Sequence, residues 1–413
     1  MADSSAPIII IGAGLVGLTL AQALKKDGFD FLIYDRDSSI DARPAGWGIT
    51  MHWALPALES CLPADVFARI PSIQVNPAQG GRSHDKYRFL DLETGKDKVC
   101  LESSQHFRLN RKKFRELLST GIDVNWGMRV TEFHATQGGV SVDFEDGSTV
   151  RGSMLLAVDG KRSRIKQLMF GDEKAQLNEL PVAHIGLTIR LPLQRMKPFL
   201  DIHPILWQGT HPGTGYYIFF SMLSTPAING SLGTKDEYYE GQFNMSWLIE
   251  RNGPLPTSPK EHLACVKAAA VSGTGMFPAL KQAILDIPDD TATVGIDLGD
   301  WPTQTWHREG GKVALVGDAA HTMTMYRGEA ANHGIYDAAR LRDELVFWRD
   351  GKQSLEQAFE RYQVEVKDRT YDAVLLSRTA CMECHDLDTL RKDSDIFQVS
   401  GFNARAAKPR SYL

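Results

Sequence analysis

The chain has 413 residues, of which 43% are hydrophobic and 23% charged; this composition excludes collagen-like, low-complexity and highly charged disordered classes, and the length allows two or three domains with cores large enough to enclose a cofactor. Forty-six basic residues stand against 51 acidic ones, a net charge of −5, so no global positive field exists to draw in nucleic acid or an anionic membrane surface.

In chain order, residues 1–7 carry no basic region, and the apolar run Ile8 to Ile11 is cut short by Gly12; neither a signal peptide nor a membrane anchor is expected there. That run reads as a strand. Leu15, Leu18, Ala21 and Leu24 follow at helical spacing, Gly28 ends the helix, and Phe29 to Tyr34 read as a second strand, which makes a βαβ unit. Residues 111–119 have a helical pattern, and 138–158 read as two short strands joined at Asp146-Gly147 and leading into Met154 to Val158. From about 181 to 250 the texture shifts to aromatic and β-branched runs (His184 to Leu191, Gly215 to Leu223, Phe243 to Ile249), expected as antiparallel strands of a separate sheet. Ser258 to Glu261 has capping-box spacing and opens a helix through Ala270. Val313 to Val316 is another buried-strand pattern, followed by a helical C-terminal third with Leu355, Phe359, Tyr362 and Val366 on one stripe. No 18-residue apolar stretch occurs, and five scattered cysteines fit a reducing compartment; a cytoplasmic protein without a spanning helix is expected.

Gly12-Ala13-Gly14-Leu15-Val16-Gly17 is a GxGxxG between a strand and a helix, the context of the dinucleotide fingerprint. The first glycine permits a tight turn, the second lets a pyrophosphate approach the backbone, the third allows close helix–strand packing, and the phosphates rest on the helix N-terminus. Asp35, at the end of the second strand, is placed to accept hydrogen bonds from a ribose. FAD, NAD and NADP all share the pyrophosphate, so the fingerprint alone leaves the dinucleotide open. Two further strand ends carry acids: Ala157-Val158-Asp159-Gly160 and Val316-Gly317-Asp318-Ala319-Ala320-His321.

The glycine fingerprint, Asp159-Gly160 and Gly317-Asp318, in this order, resemble single-component FAD-dependent monooxygenases of the aromatic-hydroxylase type. The segment from Gly46 to Leu58 is similar to the fungal secondary-metabolite branch. The resemblance implies an α/β fold: a Rossmann-like FAD-binding domain, an inserted and largely antiparallel substrate sheet, and a helical C-terminal region. The expected division is 1–75, 100–180 and 286–370 for FAD, 76–99 and 181–285 for the sheet, and 371–413 for the tail. It also implies NADPH or NADH as transient electron donor, and insertion of one oxygen atom from O2, through a flavin hydroperoxide, into a hydrophobic aromatic or polycyclic molecule. Carried over position by position, Gly12, Gly14 and Gly17 hold the pyrophosphate and Asp35 the adenosine ribose, with Arg36 beside it. Arg111 reaches the flavin side, Asp159 serves FAD and nicotinamide, and Asp318 takes the ribityl or pyrophosphate part. Gly328 to Asn332, including Ala331, begin a helix facing the flavin pyrimidine; Arg43, Gly46 and Gly48 form a mobile stretch at the ring edge.

The chain departs from the family pattern at Lys166, where arginine is expected, at Met325 in place of proline, and at Glu329-Ala330 within a Gly-x-Gly. Met325 and Ala330 suggest the alternative of an oxidase or dehydrogenase on a similar substrate. A flavin-free chaperone of the same fold is disfavoured by the intact Asp35, Arg111, Asp159 and Asp318. Catalytic candidates are Arg190, at the end of its strand, and Tyr217, which shares a strand with Tyr216 and therefore faces the opposite way; His52 reads better as structural than as a base. Cys381-Met382-Glu383-Cys384-His385 has the form of a haem attachment site, but without an export signal it is read as chance spacing in a helix, and no metal is expected.

Overall fold

The computed structural model describes residues 6–42, 46–79, 85–103, 106–136 and 138–398. Two sheets organise it. The first runs Val313–Leu315, Met154–Ala157, Ile8–Ile11, Phe31–Asp35, Val124–Trp126, with every neighbouring pair parallel. A parallel sheet is covered on both faces, which is why Ile8 to Ile11 is an unbroken apolar run, buried at all four residues. Parallel neighbours need a crossover, and the helix Leu15–Lys26 supplies the first one. Gly28 ends that turn with φ +75°. The helices Ala330–Arg349 and Leu355–Glu383 return to the same core, where Ile335, Leu341, Phe359 and Tyr362 pack with Ile10 and Leu156. One hydrophobic core thus joins the two ends of the chain.

The second sheet has seven strands in the order Ala292–Gly295, Val182–Leu191, Tyr239–Leu248, Tyr217–Ser224, Leu206–Thr210, Asp85–Asp91, Asp97–Ser103. Its pairs are antiparallel except Leu206–Thr210 against Asp85–Asp91. Successive strand residues face opposite ways. Ile185, Leu187, Ile218, Phe220, Phe243 and Met245 turn one way, into a core closed by the helices Leu193–Leu200, Pro259–Val271 and Pro278–Leu285. Trp207 and Phe199 stack on Phe220 at 5.7 and 5.1 Å. Each such buried side chain contributes roughly 1.5–3 kcal/mol. The opposite face carries His184, Gln208, Tyr217, Phe219, Gln242, Asn244 and Ser246 and forms one wall of the candidate site.

Two expected boundaries shift. Ala292–Gly295 pairs with Val182–Leu191, so the second sheet draws on residues beyond 285. The helix Leu355–Glu383 runs unbroken through 370, so the tail has no separate start there. Leu206–Thr210 was not evident from the sequence because it is buried at every residue and shows no alternation. Past the last helix the chain folds back, and Phe397 meets Tyr87 and Phe89 edge-on at 6.2 and 5.2 Å. Among the described residues, no helix is long and apolar enough to cross a membrane.

Candidate active site and nucleotide cradle

The three glycines of the first turn differ in what surrounds them. Gly12 has φ +112°, and a Cβ there would lie 2.3 Å from the Val158 carbonyl oxygen; one at Gly17 would lie 1.9 Å from the Gly12 oxygen. These two glycines serve packing. Gly14 has no atom within 4 Å of a would-be Cβ and caps the helix Leu15–Lys26 without a side-chain hydrogen bond. Space and free amide donors at a helix N-terminus are what a phosphate requires.

Around this turn the acids are organised by backbone. Asp35 Oδ2 accepts from the Ala13 amide at 2.6 Å and Oδ1 from the Asp37 amide at 2.8 Å. Arg115 donates to the Ala13 and Ile40 carbonyls and pairs with Asp35 and Asp37. Arg36 is exposed beside them. Asp159 Oδ2 takes the amides of Arg164 and Ile165, while its Oδ1 has no partner; burial raises its pKa. Lys166 Nζ donates to the Lys161 carbonyl and stands 4.6 Å from the Trp301 ring centroid. Burial pulls its pKa down to about 8, against the opposing charges of Asp159 and Asp318. The Asp318 side chain is exposed although surrounding protein raises its pKa, with His321, Lys161, Lys166 and Arg111 acting in the opposite sense. Arg111, at the start of the helix Arg111–Leu118, therefore lies within electrostatic reach of Asp318. Arg43 lies outside the described residues.

Between the polar face of the seven-stranded sheet and the segment Met325–Ala331 lies a cavity of about 170 Å³. Register explains its floor: Asn244 stands opposite both Gly186 and Phe219, Gln242 opposite Ser221, and Gln208 opposite Phe219. Trp47, Gly48, Ile49 and Thr50 form a side wall together with Arg108, and Ala330 and Ala331 close it at the start of the last long helix pair. Asn332 stitches that helix to the wall: its Nδ2 donates to the Thr50 carbonyl at 2.9 Å and its Oδ1 accepts from the His52 amide at 3.1 Å. His52 itself is buried, and burial with nearby His106 holds its pKa down to about 3, so it remains neutral and structural.

Of the catalytic candidates, Tyr217 lines the cavity and donates to Gln208 Oε1 at 2.7 Å, whereas Tyr216 packs on Trp247 on the far side. Arg190 is not among the lining residues. Its side chain is 64% exposed and pairs with Glu240 at 2.8 Å; strand parity puts it on the cavity's face of the sheet but at the far end of the strand, beyond the cavity. The Cys381 to His385 segment is absorbed behind the floor. Tyr326 donates to Ser246 Oγ, which meets His385 Nε2, each at 2.9 Å. Met325, by contrast, is 39% exposed at the cavity rim.

Arg108, His184, Gln208, Gln242, Asn244 and Tyr326 also line the cavity, and none of them is expected there from the sequence alone. A signal existed for some of them. Gln242-Phe243-Asn244-Met245-Ser246-Trp247 alternates polar and apolar without exception, and six residues of strict alternation in a buried strand mark two different environments.

Residues 10–44 match the family described as an NAD(P)-binding Rossmann-like domain. The chain is 43% identical over 345 residues to the FAD-dependent monooxygenase dbaB of Emericella nidulans, covering 82% of this chain and 86% of that one. It is 31% identical over 407 residues to the FAD-dependent monooxygenase cctM of Talaromyces islandicus, covering 97% and 98%. In fold it is similar to Klebsiella pneumoniae HpxO complexed with FAD and uric acid, with a TM-score of 0.69 at 20% identity over 95% of this chain and 91% of that one. With its glycine cradle, its Rossmann-like sheet and these relatives, the chain belongs to the FAD-dependent monooxygenases.

Proposed function

We propose that this enzyme takes electrons from NADPH or NADH and places one atom of O2 in a hydrophobic aromatic or polycyclic small molecule, by hydroxylation or epoxidation, in secondary metabolism. The observation that carries this reading is the cavity bounded on one side by an aromatic and amide sheet face and on the other by the segment opening the helix Ala330–Arg349.

The residues present fit FAD. Gly14 leaves the room a diphosphate needs, and Asp159 Oδ1 is a buried acceptor without a partner. In this reading Gly14 faces the pyrophosphate in the turn that Gly12 and Gly17 allow by close packing, Asp35 holds the adenosine ribose with Arg36 alongside, and Arg111, Asp159 and Asp318 the flavin half and the visiting nicotinamide. Gly48, Ala331 and Asn332 flank the ring. When bound, FAD supplies the passage of two electrons from the nicotinamide to O2. Amide donors at the start of Ala330–Arg349 favour negative charge at that end. Trp47, Phe219 and Ile49 exclude water from the cavity, which strengthens every polar contact inside it. Tyr217, fixed by Gln208, orients the ring of the substrate, while Asn244 Oδ1 and His184 Nε2, both without partners, accept from a substrate hydroxyl.

The test is anaerobic reduction of the purified flavoprotein by NADPH, followed by turnover under labelled O2. Substrate is expected to accelerate reduction, and one labelled oxygen is expected in the product. Stoichiometric hydrogen peroxide from substrate alone, with no nicotinamide, would instead identify an oxidase.

A further inference from the structure

Three arginines are buried among the described residues: Arg108, Arg115 and Arg327, at 7%, 5% and 6% exposure. Arg115 is paired with Asp35 and Asp37, and Arg327 with Glu329. Among the described residues Arg108 has no carboxylate partner. Its Nε donates to Ser221 Oγ and its Nη1 to Thr50 Oγ1, each at 2.9 Å, and its Nη2 reaches Gln242 Oε1 at 3.4 Å. A guanidinium has five N–H donors, so these neutral contacts leave two of them unused. The Phe219 ring lies 5.5 Å from its Cζ, a favourable contact for a cation but not a counter-charge. Burial alone pulls its pKa down to about 9, which still leaves it charged at neutral pH.

The surrounding structure holds the cation in place. A Cβ at Gly48 would lie 2.6 Å from Nε and 2.7 Å from Nη2, so the absent side chain of Gly48 is the space the guanidinium occupies. Strand pairing sets Arg108 opposite Thr50, its hydrogen-bond partner. A buried cation fixed in a cavity wall without a counter-charge is costly unless a ligand brings the opposite charge.

We infer that Arg108 receives an oxyanion of the substrate, so that the enzyme binds its aromatic substrate as an ionised acid, with the charge on a carboxylate or an acidic phenol. This deepens the function proposed above and rests on its assignment of the cavity to substrate. A planar oxyanion matches the two unused donors of the fork, whereas an ester or ether of the same skeleton leaves the cation uncompensated.

The experiment is equilibrium titration of the FAD-loaded enzyme, followed by flavin absorbance, with two matched pairs: 2-naphthoate against methyl 2-naphthoate, and 4-nitrophenolate against 4-nitroanisole. The wild type is expected to favour at least one anion over its neutral partner by about ten- to one-hundredfold, and the pair showing the larger ratio identifies the kind of acid. Arg108→Met is expected to bring that ratio to within about twofold while leaving affinity for the neutral compound in place; Arg108→Lys retains part of it. Equal affinity within both pairs, or no binding of either anion, overturns the inference. So does an Arg108→Met protein that keeps the ratio but changes the flavin reduction potential, since the charge would then serve the cofactor. Should the variant fail to hold FAD, the wild-type ratios alone decide. None of these measurements needs turnover, so a protein that prefers the acids yet never consumes O2 loses the monooxygenase chemistry and keeps this assignment.

Discussion

His321 Nε2 donates to Asp337 Oδ2 across 2.6 Å with both side chains fully buried. The same carboxylate oxygen accepts the Gly317 amide at 2.8 Å, and Oδ1 accepts from Arg369 at 2.6 Å. One acid on the helix Ala330–Arg349 therefore fixes the turn that presents Asp318. Burial by itself would raise the Asp337 pKa, but His321 and Arg369 outweigh it and hold the carboxyl well below its ordinary 3.8.

Asp337→Asn keeps the shape and removes the charge, leaving His321 and Arg369 with a weakened partner. Loss of one member of a buried pair costs about 3–5 kcal/mol, so urea unfolding is expected to show a drop of that order, with less FAD retained per chain. Because the folded pKa lies below the unfolded one, this contribution is present above about pH 4 and is lost as pH falls through the folded value. The variant's stability profile should therefore be flatter than the wild type's below pH 4. Wild-type stability together with full FAD content would remove Asp337 from this role.

Buried histidines with lowered pKa, His333 among them, set a second pH dependence of a different origin. Burial, with His106 beside His52 and His385 beside His184, holds His52 and His184 down to about 3, and burial holds His385 down to about 4, against 6.5 when free. The unfolded chain takes up protons near pH 6.5 that the folded one refuses, so stability is full above about 7 and declines as pH falls toward 3–4. Each contributes about 2 kcal/mol to the loss between pH 7 and pH 5. Denaturant titrations at those two pH values measure it, and His184→Gln should reduce the difference by about one such share. A difference unchanged by that substitution contradicts the assignment.

Replacing the cradle glycines by alanine separates packing from cofactor binding. Gly12→Ala and Gly17→Ala drive a methyl into backbone and are expected to cost more than ~3 kcal/mol, or to prevent folding. Gly14→Ala meets no protein atom within 4 Å, so the apoprotein should stay within ~1 kcal/mol of wild type while FAD affinity falls by at least about tenfold. Thermal unfolding of the apoprotein and a fluorescence titration with FAD distinguish the two; unchanged FAD affinity in the Gly14 variant counts against the cradle.

Tyr217 and Arg190 should also part company. The Tyr217 hydroxyl is committed to Gln208, so Tyr217→Phe is expected to cost about 1–3 kcal/mol of stability through the stranded amide oxygen and to change kcat by less than about tenfold. Arg190→Ala removes the exposed partner of Glu240, whose own side chain is only 7% exposed, so it is expected to lower stability through the uncompensated carboxylate while leaving kcat/KM at the wild-type level. A large loss of kcat/KM in the arginine variant would put it back among the substrate contacts.

What could be read from the sequence follows the range of the interactions. Gly12, Gly14, Gly17 and Asp35 were legible because their logic is closed within one βαβ unit, where turn, helix and acid lie within 24 residues of chain. The capping box at Ser258 is equally local, and the structure contains it. Arg108, His184 and Asn244 belong to strands far apart in sequence, and only pairing register brings them to one cavity. Arg190 was misjudged for the same reason: parity gave its face of the sheet, but position along the strand depends on where the cavity ends. Leu206–Thr210 is covered on both faces, so it lacks the alternation that would announce a strand.

The parallel sheet has a consequence for synthesis. Ile8–Ile11 leaves the ribosome long before Val313–Leu315, which completes the sheet edge, and before Asp337, which locks the Gly317 turn. At about 5–20 residues per second, the interval between the first glycine and Asp337 is roughly 15–60 s. From the emergence of Ala157 to that of Val313, roughly 8–30 s at the same rate, the edge of Met154–Ala157 stands unpaired, an invitation to aggregation. In the proposed reading FAD is held from both ends of this interval, by the Gly12 to Gly17 turn and by Asp318, so the nascent half alone offers it an incomplete site. Production of soluble enzyme should therefore respond to slower growth and added chaperones before it responds to flavin supply.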